Sequence, residues 1–217
     1  MIALLRYLAA DALRSQRWTA PLLGFAVAVA IIAPSDAAPL LPTMTMSAAA
    51  LLPAALWLTV VVNHSEDPVQ THITGVTIGS LTRTRLAKLA LAYLGCVLLT
   101  GLALVWVLTS TNDRITVGLL GIGVLAHLLC ALAGVALGAV ISRPVLPRIG
   151  VTVLAGVGIF LAELLIPHAP PIHPLLTSFT DHPPVNPWPT LGWVAAETIP
   201  LAAAAILAAH LVARAKS

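Results

Sequence analysis

Residues 63–88 read Asn-His-Ser-Glu-Asp-Pro-Val-Gln-Thr-His-Ile-Thr-Gly-Val-Thr-Ile-Gly-Ser-Leu-Thr-Arg-Thr-Arg-Leu-Ala-Lys. The stretch opens on an acidic pair, Glu66 and Asp67, and closes on three cations, Arg83, Arg85 and Lys88. Between them runs a weakly amphipathic segment broken by Gly75 and Gly79. Apolar runs flank it on both sides, so it reads as a polar connection between two buried segments. A partner that acts on this chain would act there.

The surroundings explain why the connection stands out. The 217 residues are 59% hydrophobic and 9% charged, with a mean hydropathy of +0.99. A soluble domain carries roughly a quarter charged residues. Apolar stretches recur at about the 17–25 residues needed to cross roughly 30 Å of hydrocarbon. The chain reads as an all-α integral membrane protein with six transmembrane helices in a single domain and no room for a further soluble one. The first twenty residues hold Arg6, Asp11, Arg14 and Arg17 and lack the continuous apolar core of a cleavable leader.

Residues 2–18 predict an amphipathic helix in the plane of the interface. Ile2, Leu5, Leu8, Ala9, Ala12 and Leu13 gather on one arc, and Arg6, Asp11, Arg14, Ser15 and Arg17 on the other. Trp18 fits an interfacial anchor, and Pro21 marks the expected bend into the bilayer. The six spans are placed at about 22–33, 46–62, 86–108, 117–141, 149–166 and 191–212. Pro34 to Pro39 with Pro42 ends the first, and Pro53 should kink the second. Residues 63–85 form the polar connection. Residues 167–190 hold eight prolines and three histidines and form a broken cap. Leu175, Leu176 and Phe179 dip it back toward the membrane, with Trp188 and Trp193 anchoring its exit.

Charge orients the bundle. Arg6, Arg14, Arg17, Arg83, Arg85, Lys88, Arg143, Arg148, Arg214 and Lys216 fall on one side, and Arg114 alone on the other. Ten cations against one predict that both termini are cytoplasmic and the Pro-rich cap faces outward. Cations spread along membrane edges set topology and give no nucleic-acid surface, so no nucleic-acid partner is expected. Gly134 and Gly138 form a GxxxG, read either as close packing inside the bundle or as a dimer seam.

Catalytic patterns are lacking. The sequence has no GxxxxGK[ST] for a nucleotide, no HExxH and no GxSxG, so the chain is not expected to be an enzyme by itself. Cys96 and Cys130 lie inside apolar runs without a CxxC. Glu163 and Glu197 fall at similar depth near the outer ends of spans 5 and 6, as a shared outer vestibule or as hydrated interfacial carboxylates. His127, mid-span, reads as a neutral histidine bonded to a neighbouring helix, or else as a proton relay or haem ligand. His168, His173, Asp181 and His182 in the cap match no compact metal site, and no metal is assigned.

The layout resembles a permease subunit of the type-2 ABC exporter class over nearly the whole chain. The residues that carry the resemblance are Arg14-Ser-Gln-Arg17-Trp18 with Pro21 before the first span, and Glu66-Asp67-Pro68 with Gln70 after the second. The Gly79-to-Lys88 run into span 3 and the Pro-rich segment between spans 5 and 6 complete it. The resemblance implies two permease chains, identical or different, with two separate cytoplasmic ATPase subunits that bind ATP and Mg. It implies that Glu66, Asp67, Gln70 and Thr71 contact the ATPase as a coupling helix, supported by Arg6, Arg14 and Arg17 of the surface helix. It also implies a re-entrant outer hairpin at 167–190, a plasma or inner membrane location, and export of a substrate. An apolar bundle with few internal charges favours a drug, lipid or hydrophobic peptide as that substrate. The alternative is a non-transporting scaffold, or a haem-handling or assembly subunit. A small secondary transporter is disfavoured because no inverted repeat is visible.

Overall fold

The computed structural model of the chain describes residues 2–33, 39–143, 145–146, 148–166, 169–181 and 186–215. Among these the regular elements are all helical. They are α1 (Ile2–Ser15), α2 (Thr19–Ile32), α3 (Leu40–His64), α4 (Pro68–Ile78), α5 (Leu81–Thr109), α6 (Val117–Ile141), α7 (Ile149–Leu165), α8 (Ile172–Leu176) and α9 (Trp188–Ala215). A π-helical turn, Thr177–Asp181, follows α8 directly. Four helices, α3, α5, α6 and α9, are long and apolar enough to cross a membrane, and α1 with α2, bent by 76°, makes a fifth candidate. The 17 residues of α7 reach about 26 Å at 1.5 Å per residue. Among the described residues the fold is all-helical, with four to five candidate spans of a multi-pass membrane protein. Length alone does not give six among these residues.

Several boundaries differ from the sequence reading, for reasons of local chemistry. α3 starts at Leu40 and takes Pro42 into its first turn, where a missing N–H costs nothing because that donor has no helical partner. The carboxylate of Asp113 accepts the Leu40 N–H at 2.7 Å, which caps the start of α3 from the connection between α5 and α6. The bend near the N-terminus is not at Pro21, which lies inside α2. It falls at Gln16, whose φ of 54° is left-handed, a conformation that costs a non-glycine residue about 1–2 kcal/mol. Arg83 and Arg85 belong to the first turns of α5, so the polar connection is shorter than 63–85.

The centre of the bundle is the α3–α6 pair. Gly134 and Gly138 face α3 so closely that an added Cβ would meet the Leu52 and Leu56 carbonyl oxygens. The GxxxG is therefore a packing device inside the bundle, the role small residues play where apolar lipid gives helices no hydrophobic reason to associate. His127 joins the same pair. Its Nδ1–H donates to the Gly123 carbonyl at 2.7 Å, and Nε2 lies 3.1 Å from the Ser47 hydroxyl on α3. Both ring nitrogens are engaged, which agrees with the bridging reading.

Ile172, Leu175 and Phe179 from α8 and the π turn are buried among Leu52, Leu129 and Leu191. α1 rests on α4 and α5 through Leu4 and Leu8, which pack with Ile78, Ala87 and Leu91. Its buried arc is thus Leu4, Leu8 and Ala12, while Ile2 and Leu13 stay 78% and 60% exposed. The expected apolar face is divided, one flank on the protein and the other open.

Candidate functional site

The polar connection is folded, and its sequence specifies where. Asp67 accepts the Val69 N–H at 2.9 Å and Pro68 occupies the first turn of α4, two standard helix-start devices. Gly79 ends the helix at φ 73°. There Ser80 N–H donates to the Gly75 carbonyl and Gly79 N–H to the Val76 carbonyl, each at 3.0 Å, a left-handed closure that favours glycine. The Ser80 hydroxyl then accepts the Arg83 N–H at 3.3 Å and opens α5. Of the two glycines read as breaks, only Gly79 is one. Gly75 lies inside α4, where a Cβ would run into Leu81.

A buried ion pair fastens this corner. Glu66 Oε2 and Lys88 Nζ are 2.7 Å apart, with side chains 0% and 4% exposed. The Thr71 and Thr74 hydroxyls donate to the Glu66 carboxylate at 3.4 Å each, and Lys88 donates to Thr71 at 3.4 Å. Two charges taken out of water are tolerated only when the remaining hydrogen-bonding capacity is also met, and the two threonines contribute that. Gln70 donates to the Tyr7 hydroxyl at 2.7 Å, tying α4 to α1. Arg17 donates to the His64 carbonyl at 3.4 Å, tying the α1–α2 break to the end of α3.

The sequence-proposed contact residues therefore separate. Glu66 is 1% exposed, so its carboxylate is turned into the protein and not toward the surface where the resemblance places an ATPase contact. Lys88 is likewise an internal cation and not a free edge charge. Thr71 is half-buried toward the ion pair, whereas Asp67, Gln70, Arg6, Arg14 and Arg17 are exposed. The residues that sequence reasoning passed over are Val69, Ile73 and Val76, exposed to 67%, 62% and 80%. Their spacing of four and three places them in one stripe of α4, a signal present in the sequence but masked by the threonines between them.

Some of the basic residues converge: Arg85 and Arg143 line one pocket and Arg17 and Arg143 another. Arg85 donates to the Ala213 carbonyl at 3.2 Å, and Asn63 to the Ser142 hydroxyl at 3.0 Å. These bonds bring the start of α5, the end of α9, the end of α3 and the end of α6 to one end of the bundle. Glu163 and Glu197 are half-buried on α7 and α9, and a Glu163 carboxylate oxygen is buried without a hydrogen-bond partner. His168 and His182 lie outside the described residues, as does Lys216, and the Asp181 side chain is not described. Among the described residues no three or more of His, Cys, Asp and Glu cluster as a metal site. Comparisons with protein-family models, curated proteins and solved structures gave no match to this chain.

Proposed function

We propose that the chain is the membrane permease subunit of an ATP-driven exporter of the type-2 ABC class, worked by a separate cytoplasmic ATPase. The observation that carries this reading is α4. It is a short helix fastened to the bundle by a buried ion pair, and it turns an uncovered apolar stripe, Val69, Ile73 and Val76, outward at the basic end. An amphipathic helix docked by its apolar face into a partner's groove is a recurring recognition mode. ATP hydrolysis in a partner moves substrate only by biasing two arrangements of the bundle, and an element tied to α5 and α1 is suited to deliver that bias.

In this reading α2 and α7 complete six spans, both termini are cytoplasmic, and residues 167–190 form the re-entrant outer segment. A second permease chain, the same or different, and two ATPase subunits complete the transporter. The substrate is hydrophobic or amphipathic, and the outward direction comes from the resemblance. The chain binds no ATP or Mg itself.

The test is co-extraction in mild detergent. The ATPase is expected to be retained by the natural chain and lost with Ile73→Asp and Val76→Asp. Retention of the ATPase by both variants, or labelling of Val76→Cys only from outside the cell, would overturn the reading.

A further inference from the structure

We propose that the seam between α3 and α7 holds one anionic phospholipid, its phosphate between Arg17 and Arg143 and an acyl chain laid along the two helices. This goes beyond the permease reading and does not depend on it.

At the basic end a cavity of about 760 Å³ is lined by residues of the α1–α2 break, the end of α3 and the start of α7. Arg17, His64 and Arg143 give it a polar end, with Glu66 and Asp67 beside them. Further along the same two helices lies a second cavity of about 310 Å³, walled by Leu56, Gly156, Val157 and Phe160 among others. The two share Trp57, Val60 and Val153 as walls, so they adjoin along α3 and α7, one charged and the other dry. That is the outline of a lipid lying against a membrane protein with its head at the interface.

The charges favour an anion. Glu66 is engaged by Lys88 at 2.7 Å, and Asp67 accepts the Val69 N–H at 2.9 Å. Asp67 keeps its charge while Lys88 offsets Glu66, so Arg17 and Arg143 leave the mouth net positive, and a planar guanidinium suits a phosphate. Basic pockets between membrane helices recognise anionic head groups in this way.

His64 supplies an independent observation. Its Nδ1–H donates to the Val60 carbonyl at 2.9 Å, which leaves Nε2 an acceptor. That Nε2 is buried, has no hydrogen-bond partner and belongs to a residue lining the cavity. A buried polar atom without a partner is uncommon and calls for an explanation. A head-group hydroxyl would satisfy it while the arginines hold the phosphate, so the expected ligand is an anionic lipid with a hydroxylated head, of the phosphatidylglycerol type.

The experiment uses the full chain purified in detergent, titrated with phosphatidylglycerol, phosphatidylcholine or inorganic phosphate, and reads binding and the unfolding midpoint. Phosphatidylglycerol is expected to bind and raise the midpoint, while phosphatidylcholine and phosphate do neither. The double variant Arg17→Gln, Arg143→Gln should weaken phosphatidylglycerol by about tenfold or more, the loss of two charge-assisted contacts. Val157→Trp, which narrows the dry end and leaves both arginines in place, should weaken it as well. Equal binding of both lipids would overturn the proposal. So would an equal effect of phosphate alone, or unchanged binding in Val157→Trp, the latter two indicating an ion site without a tail.

Discussion

The ammonium of Lys88 on α5 and the carboxylate of Glu66 just before α4 are in contact at 2.7 Å, both withdrawn from solvent. Removing one partner leaves the other charged and buried, which costs about 3–5 kcal/mol, whereas replacing both by apolar residues of similar volume is often close to neutral. Glu66→Ala and Lys88→Ala are each expected to lower the unfolding midpoint of the purified chain sharply. The double variant Glu66→Met, Lys88→Met should recover most of the loss. A double variant as unstable as the sum of the singles would show that the pair does not act as a unit.

The apolar stripe on α4 behaves in the opposite way. Val69, Ile73 and Val76 are exposed in the chain by itself, so Ile73→Asp should change its stability by no more than about 0.5 kcal/mol, the usual range for exposed positions. The same substitution should abolish retention of the ATPase. Thermal unfolding and co-extraction, measured on one preparation, separate the two effects.

The glycines of α6 predict a contrast within one residue type. Gly134→Leu would press on the Leu52 carbonyl and is expected to destabilise by about 1–3 kcal/mol or more, as overpacking does. Gly101→Ala meets no atom within 4 Å and should be neutral or stabilising by up to about 1 kcal/mol, since alanine is the better helix residue. If the two variants shift the unfolding midpoint equally, the close α3–α6 contact is wrong.

Asp113 offers a more local test. It caps α3 by accepting the Leu40 N–H at 2.7 Å, and loss of such a cap costs about 0.5–2 kcal/mol. Asp113→Ala should speed hydrogen exchange at the first amides of α3 and leave the middle of the helix protected. Exchange raised uniformly along α3 would point to a global effect instead.

How far the sequence discloses this structure depends on the range of the interaction. The helices α3, α5, α6 and α9 follow from apolar length, and the Asp67-Pro68 start and Gly79 stop of α4 follow from local capping rules. The bridging role of His127 was legible because a mid-membrane imidazole needs a partner. Prolines misled where the first turn of a helix tolerates them, as at Pro42, and drew the N-terminal bend to Pro21 although it falls at Gln16. The burial of Glu66 was not legible. It depends on α4 folding back beside α5, which no nearest-neighbour pattern in the chain encodes. The same holds for Asp113, whose partner Leu40 lies far away along the sequence.

The tight corner at Gly79 and Ser80 has a mechanical consequence. With α4 joined to α3 through residues 65–67, to α5 through Lys88 and to α1 through Tyr7, a displacement of it bears on three helices at once. The most apolar parts of α3 and α6 are each 67% buried, that of α5 only 39%. The glycine-lined pair is thus the part of the bundle least open to its surroundings, and α5 and α9 carry the surface that faces them.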